Sequence, residues 1–270
     1  MLIPVAGCSL PDITYPAPDG GADAGTELTC LPNLDGKIDA SELQTALNLP
    51  VVYTVSPPGT TRTVDLAGEN DGSGNLTWDF STSYSDDVSV TIEASPLAGK
   101  WYEASFPGGQ WTAPVDVADT VEGVYSADGQ AIYLLGIASH VQVPSEGETL
   151  IVYGAPVALY RFPLAPGSAW TSTGTVVGGM LRGLPYAGTD TYAVADDATG
   201  EVTLHDYVFT QAHRVRTTVT LAPSAGQTQV TRQVSFVFEC FGEIVRATSE
   251  PGEMSDDFTT AAEVRRFSGM

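Results

Sequence analysis

Few residues in this sequence offer reactive chemistry, and none stands in a complete catalytic motif. The histidines are His140, His205 and His213. No two share the His-x-x-x-His spacing of a zinc helix, and none neighbours a cysteine, so no zinc or redox centre is expected from them. His205 and Asp206 are adjacent, hence on opposite faces of a regular strand. A serine nucleophile elbow needs Gly-x-Ser-x-Gly between strand and helix. Asp71-Gly72-Ser73-Gly74 has the flanking glycines but lies in an acidic stretch with no helix after it, and reads as a loop. The carboxylate pairs are Asp86-Asp87, Asp196-Asp197 and Asp256-Asp257. Sugar hydrolysis needs two carboxylates at a set separation with one pKa raised, a property of folded geometry. Trp78, Trp101, Trp111 and Trp170 can build a carbohydrate platform or fill a core. Arg214 and Arg216 share one strand face, as a weak anion site or as salt bridges to the next strand through Glu239.

The strongest ligand pattern is Asn33-Leu34-Asp35-Gly36-Lys37-Ile38-Asp39-Ala40-Ser41-Glu42-Leu43, which resembles the second half of an EF-hand loop. With Gly36 as the sharp-turn glycine, the resemblance implies calcium held by Asn33, Asp35, the Lys37 carbonyl, Asp39 and a bidentate Glu42. Leu31 falls at the first ligand position and Pro32 follows it. The same residues also make a plain turn and a helix cap. Asp35-Gly36 turns the chain, Asp39 or Ser41 caps a helix over about residues 39–48, Leu43 and Leu47 stripe it, and Pro50 stops it.

Val5-Ala6-Gly7-Cys8 resembles the lipobox of bacterial lipoproteins, where a small residue precedes the cysteine that is diacylated. The resemblance implies lipidation at Cys8, export, and attachment to the outer membrane or the periplasm-facing membrane of a Gram-negative bacterium. Residues 1–8 then form the remnant of a signal peptide whose start lies upstream, and the Pro/Gly/Asp-rich residues 9–29 form a tether. With Cys8 carrying lipid, Cys30 and Cys240 are left as an even pair that suits a disulfide; the alternative is two separate buried thiols.

What must position these groups is a run of short strands. Between residues 201 and 249 polar and apolar residues alternate with period two: Val215, Thr217, Val219 and Leu221 on one face, Val230, Val234, Phe236, Phe238 and Cys240 on another. Further strands are expected over 51–56, 63–66, 75–80, 88–94, 100–106, 121–127, 130–138, 151–162, 192–195 and 201–209. Residues 173–180 read as an edge strand or a loop, and 255–267 as a short helix or a last strand. Asp128-Gly129, residues 196–200, 223–227 and 241–243 read as turns. This pattern specifies an all-β fold with a single antiparallel sheet, as half-barrel, barrel or sandwich, and one short N-terminal helix. No composition break separates a second domain, so residues 30–270 form one β-rich unit. The phrase Leu159-Tyr160-Arg161-Phe162-Pro163-Leu164-Ala165-Pro166-Gly167-Ser168-Ala169-Trp170, followed by long strands, is similar to the unclosed half-barrels of outer-membrane lipoprotein carriers and related envelope lipoproteins. That resemblance implies a curved sheet able to hold an acyl chain.

Charge narrows the partners. Among 270 residues, 33 are acidic and 11 basic, a net charge of −22. Nucleic acid is excluded as a partner, because phosphate recognition needs clustered Lys and Arg. An anionic membrane surface is reachable only through a covalent anchor. The expected function is a non-catalytic, lipid-anchored envelope protein with a binding or structural role toward a hydrophobic or carbohydrate ligand. The alternatives are an exported hydrolase of sugar or ester, and a calcium-stabilised envelope domain.

Overall fold

A computed structural model describes residues 30–70, 72 and 74–269. Its strands are β1 (Pro50–Val55), β2 (Arg62–Thr63), β3 (Glu69–Asn70), β4 (Leu76–Asp79), β5 (Val88–Glu93), β6 (Ser95–Pro96), β7 (Trp111–Pro114) and β8 (Val121–Ala127). They continue as β9 (Ala131–Ser139), β10 (Leu150–Arg161), β11 (Ala169–Leu181), β12 (Leu184–Thr203), β13 (Val208–Pro223), β14 (Gln229–Phe238), β15 (Gly242–Ser249) and β16 (Thr260–Gly269). All join one sheet, whose main path runs β5-β1-β16-β15-β14-β13-β12-β11-β10-β9-β8-β7-β6, with β2 beside β16 and the β3–β4 pair beside β12. The two ends of that path, β5 and β6, are separated only by Ala94 in the chain. The sheet therefore curls back on itself into a nearly closed, antiparallel barrel.

Alternation gives the barrel two apolar surfaces. Thr217, Val219, Gln233 and Val237 face a central cavity. Val234, Phe236 and Phe238, which alternate with them, face outward. The excursion between β1 and β5 covers that outer face with Val64, Leu66, Trp78 and Phe80. Trp78 and Phe80 meet Phe236 at ring separations of 4.8 and 5.4 Å. Burial of each such ring contributes roughly 2–3 kcal/mol, more than any exposed ion pair here. Within the excursion, β4 lies parallel to β12, with Gly200 opposite Leu76. A Cβ on Gly200 would stand 2.2 Å from the Leu76 carbonyl oxygen, so only glycine admits this approach.

Several expectations need correction. The helix expected over about 39–48 is a single 3-10 turn, Ala40–Glu42, because the backbone beyond it is spent on cross-links to other elements. Residues 100–106 hold no strand but a second 3-10 turn, Glu103–Ser105. The turn expected at 196–200 is instead a bulge inside β12, which runs unbroken from Leu184 to Thr203. At that bulge Asp196 pairs with Val215 on the inner face, and Ala198 with Arg214 on the outer. The true turn follows β12 at His205-Asp206 and splits the strand expected over 201–209. Residues 173–180 lie in β11, an interior strand between β10 and β12. Of the two readings left open for the tail, the strand is the one found, as β16.

Candidate functional site

Inside the barrel lies a cavity of about 550 Å³. Its lining comes from Val51 and Tyr53 (β1), Ile92 (β5), Trp111 (β7), Tyr125 (β8), Leu134 (β9), Tyr160 (β10), Tyr192 (β12), Val219 (β13), Gln233 (β14) and Arg246 (β15). Residues from so many strands facing one space identify it as the lumen. Its size falls within the range of small-molecule sites, and its lining is mainly aliphatic and aromatic. Trp111 stacks on Tyr125 at 5.9 Å.

The segment between Cys30 and Leu49 straps one end of this lumen. Ile38 exchanges two backbone hydrogen bonds of 2.8 Å with Leu164, after β10. The Glu42 carbonyl accepts from Cys240 N–H at 2.7 Å, and the Ala94 carbonyl accepts from Asn48 N–H at 2.8 Å. The strap thus reaches from the β10–β11 connection past the β14–β15 turn to the junction of β5 and β6. Leu43, Thr45, Ala46 and Leu49 line the cavity from it. Cys30 and Cys240 form a disulfide with a Cα separation of 5.6 Å, the pairing the cysteine count suggests. Glu239 Oε2 accepts from the backbone N–H groups of Asn33 (2.6 Å) and Leu34 (2.9 Å), fixing the strap's start.

The calcium-like residues sit on this strap and are occupied by their neighbours. Asn33 Oδ1 accepts from Asp35 N–H, and Asp35 Oδ1 from Lys37 N–H. Glu42 Oε1 accepts from Asn33 Nδ2 at 2.5 Å, and Oε2 from Asp39 N–H at 2.8 Å. The Lys37 ammonium pairs with both Asp35 and Asp39. Calcium at this loop would have to displace that ammonium and release both donors from Glu42. Cys8 and the tether lie outside the described residues.

Among the described residues that line the cavity, the charged ones are Glu243 and Arg246. Arg246 stands 3.4 Å from Glu243, whose other oxygen accepts from Ser235 Oγ at 2.6 Å. Tyr53 Oη donates to the Glu243 carbonyl at 2.9 Å. Arg265 is the cross-strand partner of Arg246 but gives its donors to Glu263 (2.6 Å) and the Val115 carbonyl (3.0 Å). Burial pushes the Tyr125 phenol up to about 12 and raises Tyr53 and Tyr160 further. On β12, two residues before Tyr192 and on its face, buried Asp190 accepts from Tyr153 Oη (2.8 Å) and Tyr186 Oη (3.1 Å). Burial still raises its pKa above the ordinary aspartate value.

The remaining candidates are placed elsewhere. Asp119, Glu122 and His140 bring ligand atoms within 4.8 Å of one another, a cluster no sequence spacing announced. Both Glu122 oxygens are already engaged, by Lys100 Nζ at 2.8 Å and Tyr102 Oη at 2.5 Å. Ser83 Oγ lies 3.5 Å from His205 Nδ1, both exposed, while Asp206 stands 3.9 Å from Nε2, beyond the hydrogen bond that would orient the ring. His213 pairs instead with buried Asp196 at 2.8 Å. Trp78, Trp111 and Trp170 are buried, and half-buried Trp101 donates to the Ser139 carbonyl, so they form no shared exposed platform. Arg214 and Arg216 bind Asp197 rather than Glu239, and Arg214 also donates to the Leu66 carbonyl at 2.7 Å.

No family model matches the chain, and neither a curated protein nor a solved structure is similar to it at a significant level.

Proposed function

We propose that this is a non-catalytic, lipid-anchored envelope protein whose barrel holds a small, largely apolar ligand in its lumen. The cavity of about 550 Å³ carries the reading. Protein interiors pack without large voids, so an apolar space of this size inside a strapped barrel is a site for an occupant. The disulfide that fastens the strap is of the kind that persists in the oxidising envelope. The carboxylate–histidine groups outside the lumen are paired, Glu122 with Lys100 and Tyr102 and Asp196 with His213, which favours holding over reacting.

The test is binding of a neutral fluorophore such as N-phenyl-1-naphthylamine. The wild-type protein is expected to enhance its emission saturably. Val219, opposite Tyr192 across the strands, lines the cavity, and Val219→Trp fills it. That variant is expected to weaken binding by at least about tenfold, or 1.4 kcal/mol. A folded wild type with no saturable binding would end the reading.

A further inference from the structure

Among the described residues, Arg246 is the one arginine lining the lumen, and its Nε donor is free. Its Nε is buried without a hydrogen-bond partner among the described residues. Its nearest acid, Glu243 at 3.4 Å, is held by Ser235. Buried polar groups in native proteins are nearly always satisfied, and an orphaned donor marks a missing partner. Tyr53, Tyr125 and Tyr160 line the same cavity as Arg246.

Local charge decides what the partner is. Arg246 and Arg265 face Glu243 and Glu263, two cations against two anions. A ligand anion would add an unbalanced charge to a mainly apolar lumen, which is costly. The patch offers donors without offering net charge. Resting on the lumen-binding reading above, we infer that the ligand is an apolar molecule with one uncharged hydrogen-bond-accepting end, a ketone, ester or amide carbonyl, which accepts from the Arg246 guanidinium. The apolar body lies against Leu134, Trp111 and Val219.

The experiment compares three probes of equal chain length, decane, 2-decanone and decanoate, each displacing the lumen fluorophore. The proteins are wild type and the charge-balanced double variant Arg246→Met with Glu243→Gln, both checked for fold by circular dichroism. The double variant is expected to weaken 2-decanone about tenfold and to leave decane unchanged, the loss of one hydrogen bond to a charged donor. Comparing proteins rather than probes cancels the probes' different hydration. An equal change for decane and 2-decanone, or none for either, would overturn the assignment of Arg246. A larger loss for decanoate than for 2-decanone would overturn the uncharged head. If wild type binds the fluorophore but no probe displaces it, the assignment of this ligand class falls while lumen binding stands; a wild type that binds no fluorophore ends both. Should the double variant not fold, Arg246→Lys keeps the charge while losing the fork of donors, and the same order of effects is expected.

Discussion

Asp190 shows what a carboxylate costs in this barrel. It is 4% exposed, and desolvation raises its pKa even though two tyrosine hydroxyls donate to it. A group whose folded pKa is raised stabilises the fold fully below its unfolded value and loses that contribution as pH climbs through the folded value. Asp190→Asn keeps an oxygen for the tyrosines and cannot ionise. Its melting temperature relative to wild type is therefore expected to be higher near pH 8 than near pH 4, with the gap opening above the ordinary aspartate pKa of about 3.9. Melting curves at both pH values check this, and a pH-independent gap would show that Asp190 stays ionised at no cost. Little at this scale was legible beforehand. Asp196-Asp197-Ala198-Thr199-Gly200 has the composition of a turn, yet it crosses a strand as a bulge, because His213 takes Asp196 and Arg214 takes Asp197. Glu239 was expected to serve the arginines but serves the strap. Such partners are brought together only by register, which side-chain type does not encode.

Among the elements, the strap differs most from expectation. Asp35-Gly36 and Asp39 were legible as turn and cap, and both occur. The helix beyond them fails because helical continuation would withdraw the Glu42 carbonyl from Cys240 and the Asn48 N–H from Ala94. Long-range bonds won over a weak local propensity. The disulfide closes a sequence separation of 210 residues, for which chain entropy sets an upper stabilisation of about 5 kcal/mol. Reduction, or Cys30→Ser with Cys240→Ser, is expected to lower the melting temperature by about 10 °C. It should also speed fluorophore release, because Leu43 and Leu49 would no longer be pinned over the cavity. Stopped-flow release and differential scanning fluorimetry read the two effects. A lowered melting temperature with unchanged release would mean that the strap braces the barrel without gating it. By contrast, the alternation of the central meander is legible in the sequence, where it implies one buried face; the structure buries both, with Val215 and Val237 on one and Phe236 on the other.

At the scale of the whole molecule, strand periodicity announced a sheet but could not say whether it closes. Closure depends on β5 and β6 meeting around Ala94, and that depends on the summed twist and stagger of every strand between them. Net charge acts at this scale too. A body at −22 is repelled by anionic lipid headgroups, and no helix among the described residues is long and apolar enough to cross a membrane. The membrane attachment proposed for this protein is acyl chains at Cys8. Each buried methylene contributes about 0.8 kcal/mol, so two or more chains hold firmly where one does not. Expressed from its full reading frame in its own host, the protein is expected to incorporate labelled palmitate and to resist extraction by high salt. Cys8→Ala is expected to abolish both labelling and retention while leaving lumen binding unchanged, since the described residues that line the cavity begin beyond the Cys30 anchor. Labelling that persists in Cys8→Ala would move the lipid elsewhere, and an unlabelled wild type would remove the anchor and leave the barrel's binding role to stand without it.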